Sequence, residues 1–351
     1  MKLNMINKIP NLSNLPVAWK GEHLSNNKKI WIKEFNNKEI VELENAAKKF
    51  LKTNNDLSKI NLNNFYLPNL SDYLTKIREE LKNGIGFKLL RGIPVEKYDI
   101  KQLAAIYFGI GVHMGSPRSQ NAKGHLLGHI KDLGLNLKDI NVRVYQTRQR
   151  QHFHTDSSDA VGLLCLKEAK SGGTSMLCST ITLYNEFKIK YPDLLKYLFK
   201  SVSRDRRGEI PIGEKPFYNL PVLHWYKNKL TGVYHRPYID SAQSYKDAII
   251  LSHDHKLALD KFDEIANDSN IHLKMNFLPG DIQFVYNHSI LHDRTSYVDW
   301  EEDKKKRHLL RLWLSLPNDR ALPKSFAQRY GSIKIGDRGG IITQNTKTHV
   351  P

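Results

Sequence analysis

The first third of the chain carries apolar residues at intervals of three and four, which is the spacing of one face of an α-helix. The stretch KEIVELENAAKKFL, from Lys38 to Leu51, shows this spacing and predicts a helix. The same pattern predicts a second helix from about Ser71 to Leu81 and a third from Asp99 to about Phe108. Residues 1–110 are therefore expected to form a helical N-terminal shoulder.

The period changes to two from about residue 140, where INVRVYQT (Ile140 to Thr147) alternates apolar and polar residues as a half-buried strand would. The further strand candidates are Val161 to Leu166, Gly172 to Thr180, a hairpin within Val222 to Ile239, two strands around the turn in Ile271 to Arg294, and Arg307 to Pro317. Helical spacing returns in Ile181 to Val202 and in His253 to Ala266. The pattern predicts a mainly β core over residues 140–317 with helical insertions, and an irregular tail over residues 318–351. Because neither a repeat nor a low-complexity linker divides the sequence, residues 1–351 are expected to be one domain.

Composition narrows the classes of partner. The formal net charge is +18, but the lysines are scattered along the chain rather than gathered into one basic tract, so no nucleic-acid partner is expected. No stretch has the length of a membrane span, and the N-terminus lacks the apolar segment of a signal peptide, so no membrane partner is expected. Two cysteines, Cys165 and Cys178, are too few for a disulfide framework, which favours the cytoplasm. The sequence leaves the oligomeric state open.

Two potential metal ligands stand two residues apart before an apolar run: His154 and Asp156 in QRQHFHTDSSDAVGLLCL. On a strand, residues at this spacing point to the same face. A set of two histidines and one carboxylate needs one more histidine, and NHSILHDR offers His292 and His288. Iron(II) oxygenases use such a set because it leaves coordination positions open for a co-substrate and dioxygen. His152 is a rival to His154, which is preferred because a Thr-Asp pair follows it.

Five stretches occur in one order between Gly86 and Pro317: GFKLLRGIP, FHTDSSDAVGLLCL, SGGTSMLCS, PGDIQFVYNHSILHDRT and RHLLRLWLSLP. In this combination the chain resembles the taurine/2,4-D dioxygenase-like family of Fe(II)- and 2-oxoglutarate-dependent oxygenases. The resemblance implies a double-stranded β-helix, or jelly roll, carrying an iron site at one open end. It also implies Fe(II), 2-oxoglutarate and O2 as cofactors, with succinate and CO2 released.

The resemblance implies a role for each matching residue. His154, Asp156 and His292 hold the iron, and Ser175 falls where the family has a Thr or Ser that contacts 2-oxoglutarate. Arg311 matches the late arginine that anchors the distal carboxylate of 2-oxoglutarate, and Arg307 is a second candidate. Arg311 is preferred because it alternates with apolar strand residues, whereas Arg307 follows a run of lysines.

The substrate is expected to be a small anionic or zwitterionic metabolite such as an amino acid. Arg143, Tyr145 and Arg148 precede His154, and Arg294 follows His292, so cationic and hydrogen-bonding groups should approach the iron. The resemblance implies hydroxylation, desaturation or another oxidative step rather than halogenation, because the halogenases of the family replace the carboxylate that Asp156 provides here, and hydroxylation is the expected outcome. The alternatives are desaturation or cyclisation with the same cofactors, a catalytically inactive jelly-roll binding module, and a supporting role in which these arginines pair with Asp159 or Asp293.

Overall fold

The structure is a computed structural model that describes residues 12–137, 139 and 142–351. Its α-helices are α1 (Gly21–Ser25), α2 (Asn37–Thr53), α3 (Leu70–Asn83), α4 (Ile100–Met114), α5 (Thr180–Lys190), α6 (Leu195–Leu198), α7 (Arg236–Ser241), α8 (His253–Asn267) and α9 (Ala327–Tyr330). Its strands are β1 (Ile32–Glu34), β2 (Phe87–Arg91), β3 (Ser116–Arg118), β4 (Leu127–Ile130), β5 (Gln151–His154), β6 (Ala160–Lys167), β7 (Ser171–Gly172), β8 (Ser175–Ser179), β9 (Ser201–Asp205), β10 (Phe217–Pro221), β11 (Leu223–Tyr226), β12 (Lys229–Gly232), β13 (Leu273–Met275), β14 (Ile282–Tyr286), β15 (Ile290–Arg294), β16 (Tyr297–Val298) and β17 (His308–Ser315).

Two sheets form the centre of the molecule. The major sheet has the strand order β1-β2-β14-β6-β17-β3, with β4 also paired to β17. The minor sheet has the order β13-β8-β15-β5. The remaining strands form two-stranded ribbons.

Alternation along the strands builds the core on both faces of the major sheet. On β17, Leu310, Leu312 and Leu314 pack with helices α2 to α4 in one apolar cluster. Leu309 and Trp313, which point the other way, pack with residues of both sheets in a second cluster. The outer face of the minor sheet packs against α5, α6 and α8. These layers, with helices outside two facing sheets, confirm the expected double-stranded β-helix.

The three helices predicted in residues 1–110 and the helix predicted from His253 to Ala266 are present. Asn36 caps α2 by accepting a hydrogen bond from the backbone N–H of Glu39, whose side chain in turn accepts one from the Asn36 N–H. Helix α4 continues to Met114, beyond its predicted end near Phe108. Gly109, in this extended part of the helix, allows close packing, since a Cβ there would lie 2.2 Å from the Phe65 ring.

Two predicted elements were wrong. The strand predicted over residues 140–147 is a 3-10 turn at Val144–Gln146, closed by local hydrogen bonds between residues 143 and 147, while Ile140 and Asn141 lie outside the described residues. The helix predicted over residues 181–202 is broken between α5 and α6. Pro192 begins a separate turn there, because proline lacks the N–H that a continuous helix needs.

The boundaries of the core also differ from the expected ones. Strands β1 to β4 belong to the major sheet, so the sheet begins well before residue 140. The segment after residue 317 contains little regular structure, but it is integrated into the core. Arg338 is fully buried and pairs with Asp159 and Asp319, at 2.7 Å each. No helix among the described residues has the length and apolar character that a membrane span requires.

Replacing Arg338 by methionine is expected to lower the free energy of unfolding by about 3–5 kcal/mol, because Asp159 and Asp319 would stay buried without their cationic partner. Urea unfolding at neutral pH measures the loss. Arg118→Met is the matched control, because Arg118 pairs with the exposed Asp337. That change is expected to cost about 1 kcal/mol or less. Equal losses in the two variants would contradict a special contribution from the buried pair.

Candidate metal centre

Three potential metal ligands come together at one end of the minor sheet. His154 on β5 and His292 on β15 are direct partners in the strand register, with ring centroids 4.1 Å apart. Asp156 lies two residues beyond the end of β5, where its backbone N–H donates to Asn287 Oδ1 at 3.0 Å. Its carboxylate oxygens are 3.8 Å from His154 Nε2 and 3.6 Å from His292 Nε2. One ligand atom from each residue lies within 4.8 Å of the others, and all three residues are buried.

The protonation of these groups suits a divalent cation. Burial and the neighbouring His292 hold the pKa of His154 well below its usual value, so its ring is neutral. Burial opposes ionisation of Asp156, but Arg311 and His292 outweigh it and lower the pKa of this carboxyl. The Nδ1–H of His154 donates to the His152 carbonyl at 2.8 Å, which leaves Nε2 as the ligand atom. Metal ions bind neutral imidazoles and ionised carboxylates, so the three residues fit an iron(II) ion.

The two rival histidines do not join this group. The His152 side chain is exposed, and its contact with His154 is made by its backbone carbonyl. His288 lies 2.8 Å from Asp159 and 3.7 Å from Asp319 in a second cluster of potential ligands. Arg338 pairs with both of those carboxylates, so a guanidinium group already supplies the positive charge there.

Two cavities meet at the three ligands. The wide cavity has a volume of about 730 Å³ and is lined by His154 and Asp156. The narrow cavity, of about 40 Å³, is lined by His154 and His292. Tyr145, Gln151 and Arg311 line both cavities and separate them. A metal held by the three ligands would therefore be reached from two sides.

The narrow cavity contains two buried arginines that form no ion pair with a carboxylate of the described residues. Arg294 and Arg307 both lie over the Tyr297 ring, at 4.8 and 5.1 Å. In the part of the chain that the structure describes, Arg307 Nη1 is buried without a hydrogen-bond partner. Burial and the neighbouring Arg307 lower the pKa of Arg294 to about 10, and burial lowers the pKa of Arg307. Ser175 lies in the same wall, where its hydroxyl accepts a hydrogen bond from Gln283 at 3.2 Å.

Arg311 has a different environment. Its guanidinium lies between the rings of Tyr145 and Trp313, at 4.7 and 5.0 Å. Its Nε donates to Gln120 Oε1 at 2.7 Å, and its Nη1 is 3.9 Å from Asp156 Oδ2. The same Asp156 oxygen accepts a hydrogen bond from Trp313 Nε1 at 2.8 Å. Arg311 is thus already compensated by the carboxylate of the metal centre.

Of the four residues predicted to approach the substrate, three line a cavity and one does not. Arg143 lines the wide cavity and pairs with Glu209 at 3.0 Å, and Tyr145 lines both cavities. Arg294 lines the narrow cavity, where it donates to the backbone carbonyls of Thr147 and Gln149. Arg148 is exposed, lies 3.9 Å from Asp132 and reaches neither cavity.

The expected alternative partners of these arginines are occupied by others. Asp293 pairs with Arg150 at 2.7 Å, and Asp159 pairs with Arg338. The supporting pairs expected for Arg143, Arg148 and Arg294 are therefore not found among the described residues, and the two aspartates pair with arginines that the sequence did not single out.

Several residues of the site were missed. Trp313 could have been found, because it shares the inward face of β17 with Arg311. Gln120 and His235 carried no signal, because each reaches the site from a distant segment. The ring of His235 lines the wide cavity, stacks on Tyr238 at 3.6 Å and lies 5.2 Å from the His154 ring. Gln151 places its amide 3.0 Å from His154 Nε2, a contact that a bound metal would replace.

Sequence comparison shows two relatives that match most of this chain. The chain is 35% identical over 260 residues to the FR-33289 synthase of Streptomyces rubellomurinus, covering 73% of this chain and 76% of that protein. It is 29% identical over 315 residues to a taurine hydroxylase-like protein, SAT17, of Stachybotrys chartarum, covering 87% of this chain and 80% of that protein.

Solved structures share the fold at low sequence identity. An asparagine oxygenase in complex with Fe(II), 2S,3S-3-hydroxyasparagine and succinate is 15% identical with a TM-score of 0.66, over 89% of this chain and 99% of that one. The non-haem iron oxygenase OrfP in complex with Fe and alpha-ketoglutaric acid is 14% identical with a TM-score of 0.60, over 81% of this chain and 93% of that one.

The family comparison covers most of the sequence. Residues 52–313 match the family described as taurine catabolism dioxygenase TauD, TfdA family. This range contains His154, Asp156 and His292, the three potential metal ligands that the structure brings together. The chain therefore belongs to the TauD/TfdA family and is an iron(II)- and 2-oxoglutarate-dependent dioxygenase.

Proposed function

We propose that this dioxygenase hydroxylates a small anionic or zwitterionic metabolite, such as an amino acid, with release of succinate and CO2. The observation that carries the proposal is the position of the three ligands at the junction of two cavities. When bound, iron(II) and 2-oxoglutarate supply the oxidising chemistry. The chain supplies the metal ligands, a site for the co-substrate on one side and a site for the substrate on the other.

His154, Asp156 and His292 hold the iron in this proposal. Three protein ligands leave coordination positions open, as a metal that also binds 2-oxoglutarate and dioxygen requires. Trp313 and Arg311 contact the Asp156 carboxylate and fix its orientation. Such outer contacts orient metal ligands and tune their affinity.

The narrow cavity binds 2-oxoglutarate, and Arg307 anchors its distal carboxylate. Two buried guanidinium groups that form no ion pair with a carboxylate of the described residues are costly, and a bound carboxylate reduces that cost. Arg307 has an unpartnered Nη1, whereas Arg311 is already compensated by Asp156. Three carbon–carbon bonds of about 1.5 Å each separate the keto carbon of 2-oxoglutarate from its distal carboxylate. That separation favours an anchoring arginine that does not contact the metal ligand Asp156, as Arg311 does. The geometry therefore supports Arg307 over Arg311, the reverse of the sequence-based preference.

Binding of 2-oxoglutarate there requires side chains to move. The narrow cavity of about 40 Å³ has room for only a few water molecules. Gln151 lines both cavities and contacts His154 Nε2, so this side chain would have to leave a metal-bound Nε2, and its movement would open space beside the ligands. Ser175 and Arg294 complete the polar wall that receives the carboxylate.

The wide cavity binds the substrate. Its volume of about 730 Å³ falls in the range of small-molecule sites. Its walls contain charges of both signs in pairs, including Arg143 with Glu209 and Arg206 with Glu214. Arg311 lines this cavity as well, next to the metal ligands. Paired opposite charges complement a zwitterion, and a guanidinium group beside the metal complements a carboxylate.

The substrate class is tested by succinate formation with matched compounds. Free amino acids, their N-acetyl and amide derivatives, sulfonates and uncharged analogues are compared on the wild type and on Arg311→Gln. Anionic or zwitterionic compounds are expected to stimulate turnover, with a KM at least about tenfold higher in Arg311→Gln because a charged hydrogen bond is lost. Arg148→Gln is the control, since Arg148 reaches neither cavity. Stimulation only by uncharged compounds would contradict the proposal.

A further inference from the structure

The turn that carries Asp156 is held by backbone and side-chain contacts from other segments. Beyond β5, the backbone N–H of Thr155 donates to the Tyr234 carbonyl at 2.9 Å, and that of Asp156 donates to Asn287. The residues on both sides of Asp156 are bound by one further side chain, Arg329. A metal ligand on an irregular turn depends on such contacts for its position.

Arg329 contacts both neighbours of Asp156. Its Nη2 donates to the Thr155 carbonyl at 2.6 Å and its Nη1 to Thr155 Oγ1 at 3.2 Å. Its Nε donates to Ser157 Oγ at 3.2 Å. The side chain is buried, with an exposed fraction of 7%. The planar arrangement of guanidinium donors allows one group to reach both residues at once.

The segment that supplies Arg329 makes other contacts with the same turn. Arg329 belongs to α9, which lies after the last residue of the family match at 313. Further along the segment, the Gly340 N–H donates to the Ser157 carbonyl at 2.7 Å. Gly339 has a positive φ of 84°, and a Cβ there would lie 2.7 Å from the same carbonyl oxygen. The C-terminal segment therefore packs directly on the metal-binding turn.

We propose that Arg329 is a positioning residue of the iron site: it holds the turn Thr155–Ser157 so that the Asp156 carboxylate faces His154 and His292. The inference rests on the proposed ligand set and assigns the C-terminal segment a part in metal binding. Residues of α9 and residues 339–343 also line the wide cavity. A substrate that contacts this wall would therefore contact the same segment that orients Asp156.

The test compares metal affinity in full-length variants. Anaerobic calorimetric titration with Fe(II), without 2-oxoglutarate, measures affinity in the wild type, Arg329→Gln and Arg329→Lys. Arg329→Gln is expected to weaken binding by about 10- to 100-fold, as is typical for residues that orient metal ligands. Arg329→Lys, which keeps one charged donor but not the fork, is expected to lie between the two. Titration with Co(II) adds the visible spectrum of the bound ion, which is expected to change in Arg329→Gln.

Arg320→Gln is the matched control. Arg320 lies in the same C-terminal segment and also makes three hydrogen bonds to the core, to Tyr286 Oη, the Leu230 carbonyl and Thr231 Oγ1. None of these partners belongs to the Thr155–Ser157 turn, so this variant is expected to lose thermal stability and to keep wild-type metal affinity and the wild-type Co(II) spectrum.

The outcomes separate the inference from the ligand set on which it rests. Unchanged metal affinity in Arg329→Gln, or an equal loss in Arg320→Gln, would overturn the inference. If Arg329→Gln does not fold, Arg329→Lys provides the test. A metal affinity below that of the wild type in Arg329→Lys would support the inference, and a wild-type metal affinity would overturn it. Wild-type affinity in His154→Ala would instead show that the proposed ligand set is wrong.

Discussion

Replacing His292 with alanine is expected to abolish both iron binding at the centre and the conversion of 2-oxoglutarate to succinate. His292 Nε2 lies 3.6 Å from Asp156 and its ring is 4.1 Å from that of His154, so its removal leaves two ligands. The loss should exceed the roughly 10- to 100-fold effect of changing a residue that only orients a ligand. His154→Ala and Asp156→Ala are expected to behave in the same way. Metal content and succinate formation under saturating 2-oxoglutarate measure the effect.

His152→Ala is the matched control for this series. It removes an imidazole from β5, the strand that carries His154. The His152 side chain is exposed, and only the His152 carbonyl contacts His154. The variant should retain most of the wild-type turnover and a full complement of iron. Wild-type turnover in His292→Ala, or a loss in His152→Ala as large as in His154→Ala, would rule out the ligand set.

The second large effect is expected at Arg307. Arg307→Gln should raise the KM for 2-oxoglutarate at least about tenfold, because a desolvated charged hydrogen bond is worth about 1.5–3 kcal/mol. Arg311→Gln should raise this KM less, since Arg311 is bonded to Gln120 and lies beside Asp156. Its principal effect is expected on the KM of the substrate. Initial rates at varied 2-oxoglutarate, with the second substrate saturating, measure the difference.

A binding measurement provides the control for this comparison. The dissociation constant of 2-oxoglutarate for the iron-loaded, oxygen-free protein should rise in Arg307→Gln, while the affinity for iron alone stays close to that of the wild type. A larger increase of this dissociation constant in Arg311→Gln than in Arg307→Gln would support Arg311 as the anchor of 2-oxoglutarate, as strand alternation predicted. That alternation places Arg311 correctly on the inward face of β17, but it cannot show which buried guanidinium lacks a partner.

The strand and helix pattern was readable because it reflects burial on one face of each element. Leu310, Leu312 and Leu314 alternate with Leu309 and Trp313, and each set packs in a different apolar cluster. The pattern was misleading at Val144–Gln146, where local hydrogen bonds form a turn despite alternating residues. It also could not show that β1 and β2 join the major sheet, since pairing between distant strands depends on the whole chain.

The sequence by itself determined the residue types of the metal centre and the jelly-roll fold, because His154, Asp156 and His292 occur in an ordered set of motifs and burial follows a local period. Only the tertiary structure decided how these residues are supported. Gln120 and Arg329 contact residues that are distant in sequence, Arg307 Nη1 is buried without a hydrogen-bond partner among the described residues, and no local pattern encodes either arrangement. The reason is physical: the cost of burying a guanidinium depends on the three-dimensional arrangement of acceptors around it, which exists only after the chain has folded.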